Sequence, residues 1–382
     1  MGKPDKKLLV EGWLSLCHSY SVVNQWQLLS MRKKKNLQLC FKEVARYDKN
    51  WATLTGLLSD DDSAWLNSLK ECDPAGCDLV YRISTPFNFK EIKTKTAIFI
   101  TSEFKVLLPQ QYNTLDDFRA CINQPQVKIV TPSNWSAEGF YRQGCGTDQV
   151  LVVPHGVDTT VFGRSEASRL QTRTNLGLDG FVFLHIGAMT ECKGVDLLLQ
   201  AFATVAAQRP DARLILKGND GLYPSNEFLK KALSGLPVEA QTMVLDRLSY
   251  IGNSLSMADM ARIYQSADAY LSPYKAEGFN MPVLEAMACG LPVICTRGGA
   301  TDDFVDDDCA LRIDSRLITV GKDDYTGDML LPDLDHLIQL MYKVMDDADW
   351  RCRAAEAGIE RVHRSYTWDA VTDLLLEKLL GE

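Results

Sequence analysis

Residues 268–294 read DAYLSPYKAEGFNMPVLEAMACGLPVI, and the rest of the chain is organised around them. Residues 268–272 form a short apolar run, stopped by Pro273, that reads as a buried strand. A loop follows, then the signals of a short helix: Asn280 at the N-cap, Pro282 in the first turn and Gly290 at the C′ position. Residues 291–296 supply the next strand. Glu277 in the loop and Glu285 just inside the helix stand eight residues apart, a spacing that no single helical face aligns. They converge only around something held at the helix start. Backbone N–H groups of Gly278, Phe279 and Asn280 suit phosphate oxygens, because a helix N-terminus carries partial positive charge and unsatisfied donors. Carboxylates there repel phosphate, so their partners are hydroxyls, as when an acidic residue takes a ribose diol. The stretch reads as a site for a sugar nucleotide, against the plainer reading of a first-turn glutamate and a solvated loop glutamate.

The whole string resembles the E-x7-E signature of retaining GT-B glycosyltransferases, in particular family 4 of the glycosyltransferases. Glu277, the GFNMP loop, Glu285 and the AMACGLPVI continuation fall in family order, and the likeness extends with decreasing strength over the C-terminal half. The resemblance implies an α/β chain of GT-B fold, with two Rossmann-like, doubly wound domains facing across a cleft. Residues 1–165 are expected to form an acceptor-binding domain, completed by a C-terminal helix over 366–382, and residues 166–365 the donor-binding domain.

A length of 382 residues suits two domains. The formal charge of −9 argues against nucleic acid as a partner. The 11 cysteines show no paired metal-ligand pattern: Cys72 and Cys77 flank DPAG without a second pair or histidine cluster, so they read as free thiols rather than zinc ligands. The opening MGKPDKKLLVEGW has too short an apolar run for a signal peptide, and no segment is long enough to span a bilayer. The expectation is a soluble cytoplasmic protein.

In the first half, residues 8–13 and 36–43 read as strands flanking a loop over 14–23 and a helix over 24–33, a doubly wound opening. The family usually has a glycine-rich turn after the first strand; here the turn reads LSLCHSYSVV. His18 in this turn follows a strand where α/β sheets place ligands, and a structural histidine is the competing reading. Residues 79–83, 96–101 and 127–131 read as parallel strands, each followed by polar residues. Among these Glu103 is a candidate for the cleft, or a loop carboxylate facing water. The basic run 32–35 reads as a solvated helix end or as a peripheral contact with an anionic membrane surface at the inner face. The triplets Asp60-Asp61-Asp62 and Asp306-Asp307-Asp308 sit in loop contexts and read as caps and solvated turns rather than metal ligands. A helix from Ser136 and a strand over 150–154 lead into PHGVD, which resembles the family's interdomain segment, and residues 159–177 read as a polar linker.

The second half opens with a strand over 181–186, the turn GAMTECKG and a helix over 195–208 with Leu197, Leu198, Ala201, Phe202 and Val205 on one face. Strand, glycine-bearing loop and helix again make an anion site, to which Lys193 adds a mobile charge. The family commonly has an arginine where this chain has Ala188; Lys275 and Arg297 are the cations nearby in sequence. Strands over 213–217 and 248–251 and a helix over 257–266 precede the central stretch. Helices over 335–346, 350–364 and 366–380 close the chain, the last with Trp368 and Leu374–Leu376 as apolar contact.

The resemblance implies transfer of a sugar, UDP-linked by expectation, from a nucleotide diphosphate to an acceptor hydroxyl of a glycan or glycolipid, with retention. It implies no metal and no cofactor. Donor contacts fall on Gly187, Lys193, Gly194, Tyr250, Ile251, Gly252, Glu277, Gly278, Phe279, Asn280, Met281 and Glu285, with Lys193 and Glu277 as the catalytic pair. Two alternatives stand beside this: a nucleotide-sugar epimerase on the same fold, and a catalytically silent nucleotide-sugar-binding subunit.

Overall fold

The computed structural model describes residues 6–16, 18–46, 51, 57–107 and 115–381. In chain order the elements are β1 (Lys6–Gly12), α1 (Ser19–Met31), β2 (Leu37–Glu43), α2 (Asp60–Ser68), β3 (Leu79–Ile83), β4 (Thr96–Phe99), α3 (Leu115–Ile122), β5 (Val127–Thr131), α4 (Asn134–Arg142), β6 (Val150–Val152), α5 (Glu166–Leu176), β7 (Phe181–Ile186), α6 (Val195–Gln208), β8 (Ala212–Lys217), α7 (Ser225–Ser234), α8 (Val238–Leu245), β9 (Leu248–Ile251), α9 (Met257–Ser266), β10 (Ala269–Ser272), α10 (Met281–Ala288), β11 (Val293–Thr296), β12 (Ala310–Ile313), β13 (Ser315–Val320), β14 (Gly327–Pro332), α11 (Leu334–Asp346), α12 (Ala348–Ser365) and α13 (Trp368–Leu380). They divide into two compact units, 1–156 with 321–327 and 368–382, and 157–320 with 328–367.

The first unit is built on a parallel sheet ordered β2-β1-β3-β4-β5-β6. Its first helix begins earlier than the expected residue 24, because the His18 ring caps it: Nδ1 accepts from the Tyr20 N–H at 3.2 Å. The second half of the predicted loop over 14–23 is therefore helix, and Cys17 within it lies outside the described residues. Asp60–Asp62 open α2 rather than a loop: the Ser59 hydroxyl caps it by accepting from the Asp62 N–H at 3.1 Å and donates to the Asp62 carboxylate at 2.8 Å. Cys40 and Cys72 are joined in a disulfide, with Cys77 Sγ 3.4 Å from Cys72 Sγ, which corrects the expectation of free thiols for Cys72. The partner stands 32 residues away on β2, too far for a local spacing rule to find it. The basic run 32–34 is paired: Arg32 lies over Trp65 and 3.5 Å from Asp62, Lys33 meets Asp369 and Lys34 meets Asp373. No helix among the described residues is long and apolar enough to cross a membrane.

The second unit has a parallel sheet ordered β12-β11-β10-β7-β8-β9, and β13 pairs with β14 in a separate ribbon. Phe183 packs edge-on against Phe202 of α6, while Tyr270 meets Tyr264 of α9, so alternate strand residues enter two different helix layers. The division between units falls at Gly156 rather than at 165. Val157 already belongs to the second unit, its N–H donating to the Tyr366 carbonyl at 2.9 Å beside a bridge to Thr367. The expected linker over 159–177 contains α5, capped by Ser165 and closed by Gly177 in the left-handed region. Its apolar periodicity is absent because charge docks it: Arg169 and Arg173 both hold Asp268, at 2.6 and 3.0 Å.

The last helix, α13, packs on α1. Trp368, 7% exposed, stacks on Trp26 with ring centroids 6.4 Å apart, and Asp369 takes the Ser30 hydroxyl at 2.7 Å. Trp368→Ala is expected to cost the first unit about 3 kcal/mol. Six of the seven tryptophans lie in that unit, so fluorescence-detected urea unfolding reports it. An unchanged midpoint would show that α13 does not support α1.

Candidate functional site

The order of the second sheet reverses between β7 and β10, and crevices that hold ligands in open α/β sheets form beyond the carboxyl ends of strands at such a reversal. The turn after β7 and the loop after β10 meet there. Gly187 N–H donates to the Lys217 carbonyl at 3.0 Å, and the Ala188 carbonyl accepts from the Ser225 hydroxyl at 3.1 Å. A single helical turn over Glu191–Lys193 leads to Gly194, which has φ +69° and opens α6. A β-carbon at Gly194 would stand 1.9 Å from the Pro273 carbonyl oxygen, so only glycine allows the two loops this close. The Cys192 carbonyl accepts from Lys275 N–H at 2.7 Å and Ala276 N–H at 3.3 Å. Lys275 Nζ sits 2.8 Å from Asp196 and 3.8 Å from Glu191.

This backbone lock carries Lys193 to Glu277, with Nζ and Oε1 2.5 Å apart and Glu277 only 7% exposed. Next to them Phe279 stacks on Phe304 at 4.7 Å. Asn280 occupies the N-cap position of α10 but makes no cap bond with its side chain. It adopts φ +79° and donates from Nδ2 to the Ser272 hydroxyl at 2.9 Å, tying the loop back to the end of β10. Met281 is the first residue of α10. Glu285, one turn further on, faces α9, where it accepts the Tyr264 hydroxyl at 2.6 Å. Although the residue as a whole is only partly buried, its carboxylate is desolvated, which pushes its pKa up to about 7; the Tyr264 bond opposes the shift.

At the end of β9, Tyr250 donates its hydroxyl to Asp220 Oδ1 at 2.8 Å, and the Ile251 and Gly252 carbonyls accept from the Gly218 and Asp220 N–H groups. A β-carbon at Gly252 would lie 2.0 Å from Asp220 Oδ2. Asp220 and Ser225 escaped the sequence reading. The available signal was the GND that follows β8, a glycine directly after a strand as in the turn after β7. Arg297 pairs with Asp307 and Asp314, at 3.8 and 3.6 Å, whereas Lys275 sits directly on the Lys193 turn. Of the first-unit candidates, His18 is closed in by Trp13, Tyr20 and Trp51, and burial pulls its pKa down to about 4. Glu103 gives its carbonyl to the Trp135 indole N–H at 2.7 Å. Among the described residues no group of three or more histidine, cysteine or acidic side chains could hold a metal.

The arrangement is that of a GT-B protein. The structure is similar to the crystal structure of Anabaena HepE in complex with UDP and glucose, at a TM-score of 0.71 and 14% identity over 99% of this chain and 100% of that one. It is also similar to a glycosyltransferase from Rickettsia africae ESF-5, at 0.72 and 14% over 99% of each. Residues 180–343 match the family described as Glycosyl transferases group 1. By sequence the chain is 28% identical over 261 residues, 66% of its length, to the lipopolysaccharide 1,2-N-acetylglucosaminetransferase of Salmonella typhimurium, and spans 61% of that relative.

The raised pKa of Glu285 has a definite sign in stability. The native state holds the proton more tightly than the unfolded chain, so the stability this group contributes is present in full below about pH 4.5 and is lost as the pH rises through about 7. Glu285→Gln removes the titration and leaves Tyr264 an acceptor. Thermal midpoints of wild type and variant should diverge between about pH 5 and pH 8, the variant gaining about 1–2 kcal/mol at the upper end. Parallel curves would refute a desolvated carboxylate.

Proposed function

We propose that the protein transfers a sugar from a nucleotide diphosphate, UDP-linked, to a hydroxyl of a glycan or glycolipid acceptor, with retention at the anomeric carbon, in the manner of family 4. The observation that carries the reading is the Lys193–Glu277 contact at the sheet reversal, where α6 and α10 both begin. As the glycosidic C–O bond breaks, negative charge grows on the diphosphate. Lys193 and the N-terminal end of α6 are already oriented to meet it, which is electrostatic stabilisation that needs no resident metal. Glu277 then holds hydroxyls of the sugar and Glu285 those of the ribose. On this reading the departing phosphate itself helps take the acceptor proton. The activities of the relatives support this: one is a lipopolysaccharide 1,2-N-acetylglucosaminetransferase, and a relative from Rhizobium meliloti is a lipopolysaccharide core biosynthesis mannosyltransferase.

Thermal stabilisation by UDP, GDP and ADP tests the donor site, since a ligand that binds only the folded state raises its stability, by about 2.7 kcal/mol at a hundred times Kd. UDP is expected to stabilise the wild type and not Lys193→Ala, whose kcat/KM should fall about a hundredfold. Glu277→Gln should lower kcat far more than it raises the donor KM. A wild type that no nucleotide stabilises, or a Lys193→Ala variant that responds equally, would sink the proposed donor site, whereas nucleotide binding without transfer to any of a broad panel of acceptors would favour a silent subunit.

A further inference from the structure

His185, near the end of β7, is 1% exposed, and one of its nitrogens has work assigned while the other has none. Nδ1 lies 2.8 Å from the Leu271 carbonyl oxygen on β10. A carbonyl only accepts, so Nδ1 carries the proton and Nε2 is left as a bare acceptor. Burial pulls the pKa of the ring down to about 4, so it stays neutral in ordinary buffers. Nε2 is buried and has no hydrogen-bond partner among the described residues. The neighbouring Tyr270 cannot serve it, because its ring stacks on the imidazole at 6.4 Å while its hydroxyl donates to the Ile186 carbonyl at 3.2 Å.

The direction of that acceptor is informative. A β-carbon built on Gly187 would lie 3.4 Å from His185 Nε2, and also 3.5 and 3.8 Å from Cγ and Cδ of Lys193. The imidazole nitrogen and the lysine stem therefore flank the same backbone point. Burying an unpaired acceptor costs free energy that a leucine or phenylalanine would avoid. We infer that His185 is a positioning residue for Lys193: when a donor diphosphate draws the ammonium away from Glu277, Nε2 accepts one of its three N–H groups and holds it against the phosphate. This rests on the donor site proposed above and adds to it where the lysine goes once Glu277 turns to the sugar.

Calorimetric titration with UDP, GDP and ADP tests this on wild type, His185→Asn, His185→Gln and Lys193→Met. Asparagine keeps a donor for Leu271 and removes the acceptor at Nε2, and glutamine restores an acceptor there. The nucleotide that binds wild type should bind His185→Asn about tenfold more weakly, the size of one charge-assisted hydrogen bond, with most of the loss recovered in His185→Gln. In the Lys193→Met background His185→Asn should have no further effect. A merely structural histidine predicts the opposite, a loss of equal size in both backgrounds with no rescue by glutamine, and that result overturns the inference. If Lys193→Met loses binding while His185→Asn binds as wild type, the inference alone fails. If wild type binds none of the three, the donor-site reading fails with it.

Discussion

Two loops leave the second sheet side by side, one after β7 and one after β10, and the site exists because their backbones touch. Gly194 lies so close to the Pro273 carbonyl that a single β-carbon would force them apart, and the Cys192 carbonyl binds two successive N–H groups of the opposing loop. An ion pair that keeps partial access to water contributes little by itself, so the Lys193–Glu277 contact follows from this lock and does not create it. The lock in turn depends on chain order. Only where the sheet reverses do loops from strands far apart in sequence, at residues 187 and 273, emerge as neighbours.

The charges around the lock are close to balanced. Lys193 and Lys275 face Glu191, Asp196 and Glu277, two cations against three anions. A phosphate is therefore not drawn by net charge. On the proposed reading it must rely on oriented N–H groups and the end of α6, and it must compete with Glu277 for Lys193. This shifts the meaning of Ala188, which stands where the family that the chain resembles commonly carries an arginine. Its carbonyl is spent on Ser225. The compensation open to this chain is a lysine whose position is set by its neighbours rather than a second cation.

Legibility in the sequence followed the kind of force that shapes each element. The segments β7, α6 and α9 were plain, because a strand buried on both faces and helices with one apolar stripe leave clear signals. The helix α5 was hidden, since two arginines on one aspartate hold it and leave little apolar trace. The start of α1 was missed because a histidine, outside the usual capping residues, caps it. The ribbon of β13 and β14 was missed as well; β13 is largely exposed along its length. At the site, motif spacing reached Glu277, Glu285, Lys193 and the loop glycines. It did not reach Asp220 or His185, whose roles come from neighbours on other strands.

Glu277 and Glu285 show how much three dimensions add to a spacing. Eight residues apart, they were expected to converge, yet each takes a different partner: an ammonium from the β7 turn for Glu277, a buried hydroxyl from α9 for Glu285. Tyr270 stands where it senses both carboxylates. It stays a neutral phenol, its pKa raised well above the ordinary value by burial, and it gives its proton to the Ile186 carbonyl rather than to either acid. A ligand that engages both glutamates therefore has to present separate groups to separate partners. A sugar nucleotide meets that demand, with hydroxyls on the transferred sugar and on the ribose and the diphosphate between them.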